Sequence, residues 1–314
     1  MSLITLAQNV FSGLVLNGGQ FPEAISCAAD ILVTGPLCRF TSDLLPMLMC
    51  LSGSNLPRKI LDTHVNNSDV DYEPMESDNE TIDSYESDDV LSEHEDDGVM
   101  LFDVDLKKLK IYYMEDDGGI PVTTNVTPEL REAQQKVLTH FETEHNIRCE
   151  KVNFTKIIHI MNMWSTQMSY KDIPKFSEEM TGRNGKLNSW MELAKWLTNR
   201  MGNFRSHYVN MLDEFKKEFN EMLGDNGIFL YPSHPKVAPY HNQPIAMPFN
   251  FLYTALFNAL QAPVTQCPLG LDSSGLPLGI QVVASPSNDH LTLAVASELE
   301  RVFGGWVCPS AAVL

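Results

Sequence analysis

The stretch NFLYTALFNALQAPVTQCPLGLDSSGLPLGIQVVASPSNDHLTLAVASELERVFGGWVC, residues Asn250–Cys308, decides how the rest of the chain is read. Its first thirteen residues, Asn250–Ala262, are apolar at helical spacing and end at Pro263, which predicts a largely buried helix. Val264–Leu269 then reads as a short core strand. Asp272–Pro277 contains the Ser-Ser-Gly run of a turn, and Gly279–Ala284 is β-branched enough for a second strand. Asn288 and Asp289 offer a cap for a final helix, with Leu291, Val295, Leu299 and Val302 on one stripe and Gly304-Gly305 at its end. Pattern, caps and turn residues agree with one another here, as they do in a true core unit.

Working outward, 314 residues suffice for one large α/β domain or two smaller ones. The net charge of -19 is confined to one place: Ile60–Leu106 holds 17 acidic residues and no Lys or Arg. Outside that span 24 acidic residues face 22 basic ones, so the acidity belongs to an insert and not to the fold. Asp62–Asp97 is poor in aromatics and rich in Asp, Glu and Ser, so it has too little apolar surface to bury and is expected to be a solvated, disordered insertion. Serines followed by acidic residues at Ser77 and Ser92 make acid-directed phosphorylation conceivable there. The expected organisation is one domain interrupted once: residues 1–61, the acidic insertion 62–103, and a core over 104–314.

Between these landmarks the chain alternates. Leu14–Leu16 reads as a strand, and Thr41–Asp43 starts a helix that tolerates Pro46 in its first turn. Leu109–Met114 reads as a strand and Glu115–Gly119 as a turn. Thr127 caps a helix with Pro128 at its first position and Leu130, Val137, Leu138 and Phe141 on its buried face. Ile147–Val152 is a strand, Ile157–Met168 a helix, and Leu187–Thr198 and Phe204–Leu223 are amphipathic helices. Ile228–Tyr231 is a strand, followed by a proline-rich loop over Pro232–Pro248. Such alternation predicts strands covered by helices.

Six cysteines without a C-x-x-C pair indicate neither a zinc site nor a disulfide framework and fit a reducing compartment. The opening MSLITLAQNVFSG lacks the basic region and long apolar core of a signal peptide, and no window is apolar for the ~18 residues of a membrane span. G-x-G-x-x-G, G-x-x-x-x-G-K-Ser/Thr, H-E-x-x-H and G-x-S-x-G are all absent, so no cofactor and no metal is expected. His234 and His241 lack a third ligand, and His234 is expected to bond a neighbouring backbone group instead. Basic residues are scattered and the insert would repel phosphate, so nucleic acid is not an expected partner.

Several stretches together carry a resemblance: Gly13-Leu-Val, Asn17–Pro22, Thr34–Phe40, Asp43–Leu48, Val104–Ile111, Phe229–Pro235, Asn258–Thr265, Gly275–Val282 and Phe303–Trp306. In that order they resemble the C-terminal part of amidase-signature enzymes of the fatty-acid amide hydrolase 2 type. The resemblance implies an α/β/α fold around a large mixed sheet, here without its N-terminal part. It implies a Lys–Ser–Ser amide hydrolase whose terminal serine attacks the carbonyl while a neutral lysine and the bridging serine move its proton. The family's lysine and both serines are expected upstream of the position of Met1, so no catalytic residue is assigned. Neither Ser2, Ser12 nor Ser233 stands in the family's glycine-rich frame.

Taken alone, this portion is therefore expected to be inactive and to supply an acyl-binding wall. Met161, Trp164 and Met168 share a helical face and are the candidate pocket residues for a fatty acyl amide or another lipophilic molecule. Plain core packing is the competing reading of the same three. The sequence also admits a truncated isoform or incomplete gene product of an active hydrolase, a non-catalytic paralogue that binds lipid or a partner, and a module that regulates a full-length paralogue. A homo-oligomer stays open, and the resemblance places the chain on the cytoplasmic side, membrane-associated in a longer parent form.

Overall fold

The computed structural model describes residues 6–9, 15, 33–52, 104–168 and 205–306. Its centre is a mixed sheet of seven strands in the order β2-β1-β6-β7-β5-β3-β4. The strands are β1 (Leu6–Asn9), β2 (Leu37–Cys38), β3 (Lys110–Tyr113), β4 (Cys149–Lys151), β5 (Gly227–Tyr231), β6 (Val264–Leu271) and β7 (Pro277–Ala284). The helices are α1 (Thr41–Ser52), α2 (Pro128–Glu144), α3 (Ile160–Met168), α4 (Arg205–Leu223), α5 (Leu252–Leu260) and α6 (Asp289–Phe303).

β3 pairs in parallel with both β4 and β5, with Ile111 opposite Cys149 on one side and Ile228 on the other. β7 runs antiparallel to β5 and to β6, so β6 points the same way as β3, β4 and β5. Moving from β3 out to β4 and then back past β3 to β5 requires right-handed crossovers on opposite faces. α2 accordingly lies on one face, beside α6, to which its His140 is hydrogen-bonded, while α3, α4 and α5 pack together on the other. α1 packs on α6. The result is three layers, α/β/α, as expected.

β5 shows why the middle layer is stable. All five residues of Gly-Ile-Phe-Leu-Tyr are buried, as a strand covered on both faces must be. Alternation sends Phe229 and Tyr231 to the α4/α5 face, where Phe219 lies 5.4 Å from Phe229 and Tyr253 5.5 Å from Tyr231 between ring centres. Each such fully buried ring stabilises the fold by about 2–3 kcal/mol through removal from water. Buried apolar residues of 33–52 and of 104–306 belong to one continuous core, so the pieces flanking the insertion share an interior.

Most element readings hold within a residue or two, and the departures have local causes. β1 and β2 were not expected; their few residues become strands by pairing, Asn9 opposite Val264 and Leu6 opposite Cys38. Of Leu14–Leu16 only Val15 is described, and it is a buried bend. Pro46 is the sixth residue of α1, past the first turn, because the helix already starts at Thr41. That start is held by the Glu300 carboxylate, which accepts the Thr41 N–H at 3.0 Å. Thr127 and Asn288 stand at helix starts, but neither side chain makes the capping bond. The Asn288 amide instead donates to Ser285 Oγ at 2.6 Å and to the Gly224 carbonyl. Leu291, Val295 and Leu299 are buried as the stripe requires, whereas Val302 is 36% exposed. Gly304 ends α6 at φ 83°, a left-handed conformation that costs glycine nothing. The helix expected over Ile157–Met168 opens with a 3-10 turn at Thr155–His159 before α3. The acidic insertion and the helix expected at Leu187–Thr198 lie outside the described residues.

Candidate functional site

β3, β4, β5 and β6 all end at the same edge of the sheet, and in open α/β sheets the crevice outside the carboxyl ends of the strands is where ligands bind. The loops leaving that edge are tied to each other by specific bonds. After β3, Asp117 is buried, and its carboxylate accepts the backbone N–H groups of Gly119 and Ile120 and the Thr123 hydroxyl. Three donors on one carboxylate hold the turn closed and satisfy the buried charge. Further on, the buried Asn250 amide accepts the Thr124 N–H and donates to the Thr124 hydroxyl, both at 3.0 Å, which joins this loop to the start of α5.

The loop after β5 is anchored at both ends. Gln281 of β7 donates to the Pro232 carbonyl at 3.0 Å and to the Tyr253 carbonyl at 3.3 Å. The Thr127 N–H, at the start of α2, donates to the Pro235 carbonyl at 2.9 Å. His234 behaves as expected of a loop histidine: its Nδ1 lies 2.7 Å from the Lys236 carbonyl and 3.2 Å from the Lys236 N–H. Whichever tautomer is present, that nitrogen is engaged with main chain.

Two cavities open at this edge. One, of about 170 Å³, lies between the β5 loop, α2 and the β6–β7 pair, and is lined by Leu130, Ser233, His234, Lys236, Gln266 and Leu278 among others. A bare Gly279 backs it; a Cβ there would meet the Gln266 amide and lie 2.9 Å from the Cys267 carbonyl. The other, about 270 Å³, sits over the ends of β3 and β4 between Glu115, Asp116, Lys151 and Asn153. Its charges are internally matched, Lys151 to Glu115 at 2.8 Å and Arg131 to Asp116 at 2.8 Å. The bond to Glu115 holds the Lys151 ammonium above the ordinary lysine range. Burial likewise pushes the Tyr231 and Tyr253 phenols up, so both are neutral packing and hydrogen-bonding groups at any ordinary pH.

Neither cavity contains a nucleophile with its base. Ser233 lines the first, yet among the described residues its hydroxyl makes no hydrogen bond to a lysine or histidine. What this edge can do is bind and orient: the small cavity offers a hydroxyl, an ammonium and an amide to a polar group. The pocket residues expected from sequence lie elsewhere, on α3. Met161 and Trp164 are half-buried against the core, and Trp164 meets Phe251 edge-on at 5.1 Å, while Met168 closes the helix. Neither cavity is lined by Met161 or Trp164.

A further cluster had no signal in the sequence. His140 and His145, at the end of α2, both direct Nε2 to Oε1 of Glu298 on α6, at 2.7 and 2.9 Å. Arg301 donates to both oxygens of the same carboxylate. Burial opposes the charge on Glu298, but the bonds from Arg301, His145 and His140 outweigh it and hold the carboxyl down at about 2. Partners 153 and 158 positions apart leave no local pattern to read.

Comparison with known proteins agrees with this architecture. The amidase family model matches residues 75–293. Human fatty-acid amide hydrolase 2 is 39% identical over 95% of this chain and 53% of its own length. Zebrafish (Danio rerio) fatty-acid amide hydrolase 2-B is 33% identical over 95% of this chain and 53% of its own length. The chain thus spans about half the length of these curated relatives. Among solved structures, an amidase superposes with a TM-score of 0.64 at 15% identity, covering 96% of this chain and 58% of that one. A fatty acid amide hydrolase superposes with a TM-score of 0.59 at 15% identity, covering 96% and 53%. At such identities the superpositions establish the fold. No helix of the described residues is long and apolar enough to cross a membrane.

Proposed function

The chain belongs to the amidase family, and we propose that it forms the acyl-binding portion of a serine amidohydrolase acting on fatty acid amides. The observation that carries this reading is the 39% identity to human fatty-acid amide hydrolase 2 across 95% of this chain. In the reaction the acyl C–N bond breaks, the oxygen of water stays on the acyl carbon, and a proton leaves on the amine. We assign the Lys–Ser–Ser chemistry to the part of the relatives that this chain does not span. The unpartnered state of Ser233 among the described residues supports that division, because a serine without a base is a poor nucleophile at neutral pH.

Within this division, the α3 face of Met161, Trp164 and Met168 serves as the wall for the acyl chain. Its half-buried thioether and indole, beside the 37%-exposed Phe251, offer apolar contact that the core does not fully use. The test is binding and turnover of a long-chain fatty acid primary amide by the full chain. The expected result is saturable binding, followed through Trp fluorescence or a labelled ligand, without release of fatty acid. Trp164→Ala is expected to weaken binding about tenfold, the value of one lost aromatic contact of roughly 1.4 kcal/mol. Unchanged affinity in Trp164→Ala would remove α3 from the pocket. Turnover by the chain alone would overturn the division of labour.

A further inference from the structure

We propose that His140, His145 and Glu298 form a binding site for a divalent first-row transition metal of the zinc type, clipping α2 to α6. Two imidazoles and one carboxylate are a common zinc donor set, and imidazole excludes magnesium and calcium, which take oxygen ligands. The three donor atoms lie within 4.8 Å of one another. Each side chain is at most 15% exposed, so little water competes for the ligands.

Their present spacing is that of hydrogen bonds. Bonds of about 2.0–2.1 Å at tetrahedral angles would set donor atoms about 3.3 Å apart. The two Nε2 atoms are 2.7 and 2.9 Å from Oε1, so these two edges need to open by about half an ångström, while the two Nε2 atoms already lie within 4.8 Å of each other. Opening is favoured by crowding at Oε1, which accepts from His140, from His145 and from Arg301 Nη2 at 2.8 Å. That is one donor more than the two lone pairs of a carboxylate oxygen. A metal ion takes the place of the two Nε2–H protons, and each neutral imidazole keeps its one proton on Nδ1. Arg301, whose side chain is 66% exposed, can release Oε1 while its Nε keeps Oε2 at 2.9 Å. It then acts as the outer group that orients the ligating carboxylate. Water from the surface beside His145 supplies the fourth ligand.

The clip is remote from the carboxyl-edge cavities. His140 lies twelve residues beyond the start of α2, about 18 Å along the helix from the loop that bounds them. Its effect is therefore on the packing of α2 against α6 and not on the chemistry proposed above.

The test uses the full chain without a polyhistidine tag, titrated with zinc and, separately, cobalt. Zinc is expected to bind one per chain and raise Tm, and cobalt to give the visible ligand-field band of a four-coordinate site. His145→Ala leaves the His140–Glu298–Arg301 contacts in place and is expected to keep the fold while weakening zinc at least about 100-fold and abolishing the band. Cys50→Ser, which removes an exposed thiol, is expected to change neither. The proposal is overturned if the parent chain shows neither the Tm rise nor the cobalt band. Equal stabilisation by magnesium, or unaltered zinc binding in both His145→Ala and Glu298→Gln, would overturn it equally.

Discussion

Replacing Gln281 by Met should loosen the β5 loop more than it damages the sheet that carries the residue. Gln281 is 4% exposed, and its amide donates to the main-chain carbonyls of Pro232 and Tyr253 at 3.0 and 3.3 Å. Methionine has nearly the same length and no donor, so the swap leaves the Pro232 carbonyl without this partner and the Tyr253 carbonyl, inside α5, with its helical bond alone. Each lost bond is worth about 1 kcal/mol net, and an acceptor left buried raises that toward about 2. The buried amide no longer has to be desolvated, which returns about 1 kcal/mol. The net loss is then about 2 kcal/mol, or a fall in Tm of about 3 °C for a chain of this size. Urea unfolding gives the energy, and peptide-resolved hydrogen exchange gives its location. Exchange should quicken first across residues 232–238, whose anchor has gone, while β6 and β7 keep their ladder. A variant within 0.5 kcal/mol of the parent, or one that loses stability with the loop's exchange unaltered, would refute the anchoring role.

Other outcomes follow from single contacts. Gly279→Ala sets a Cβ against the Gln266 amide and 2.9 Å from the Cys267 carbonyl; the β6–β7 pair should lose about 1–3 kcal/mol, measured by urea unfolding, as the small cavity shrinks. Phe219→Ala empties the centre of the cluster with Phe154, Phe229 and Phe257 and should cost about 3–5 kcal/mol in the same assay. Burial pushes the Cys149 thiol up to about 12, so at pH 8 only about one molecule in 10⁴ carries the thiolate. Iodoacetamide followed by peptide mass mapping should therefore label exposed Cys50 well before Cys149 or buried Cys267. Burial also raises the Glu300 carboxyl, against the opposing Thr41 N–H. The folded chain thus holds this proton more tightly than the unfolded chain, whose carboxyl titrates near 4.3, and this contribution to stability fades as pH rises through the folded value. Glu300→Gln keeps an acceptor for Thr41 and should gain on the parent more at pH 7 than at pH 4.

Much of the fold was legible because the deciding signals are local. Pro128 at the start of α2, the stripe Leu130, Val137, Leu138 and Phe141, and Gly304 at the end of α6 each act within a few residues of themselves. The helix–strand–turn–strand–helix order of Asn250–Cys308 follows from the same short-range rules. The family could be read as well, because it is carried by short runs in a fixed order. The caps show where that legibility stops. Thr127 and Asn288 were read correctly as helix starts, yet their side chains are drawn elsewhere or left unbonded, since a hydroxyl or amide takes whichever partner tertiary packing brings nearest.

By itself, then, the sequence determined the elements, the α/β class and the family, because backbone propensity and burial period are properties of neighbouring residues. Only the tertiary structure decided that β7 lies antiparallel between β5 and β6, so that four strand ends share one edge. It alone brought Gln281 to Pro232 and set His140 and His145 on Glu298. Those contacts join residues 49 to 158 positions apart. Their energy appears only once the sheet has paid the entropy of closing those loops, and no local pattern records it in advance.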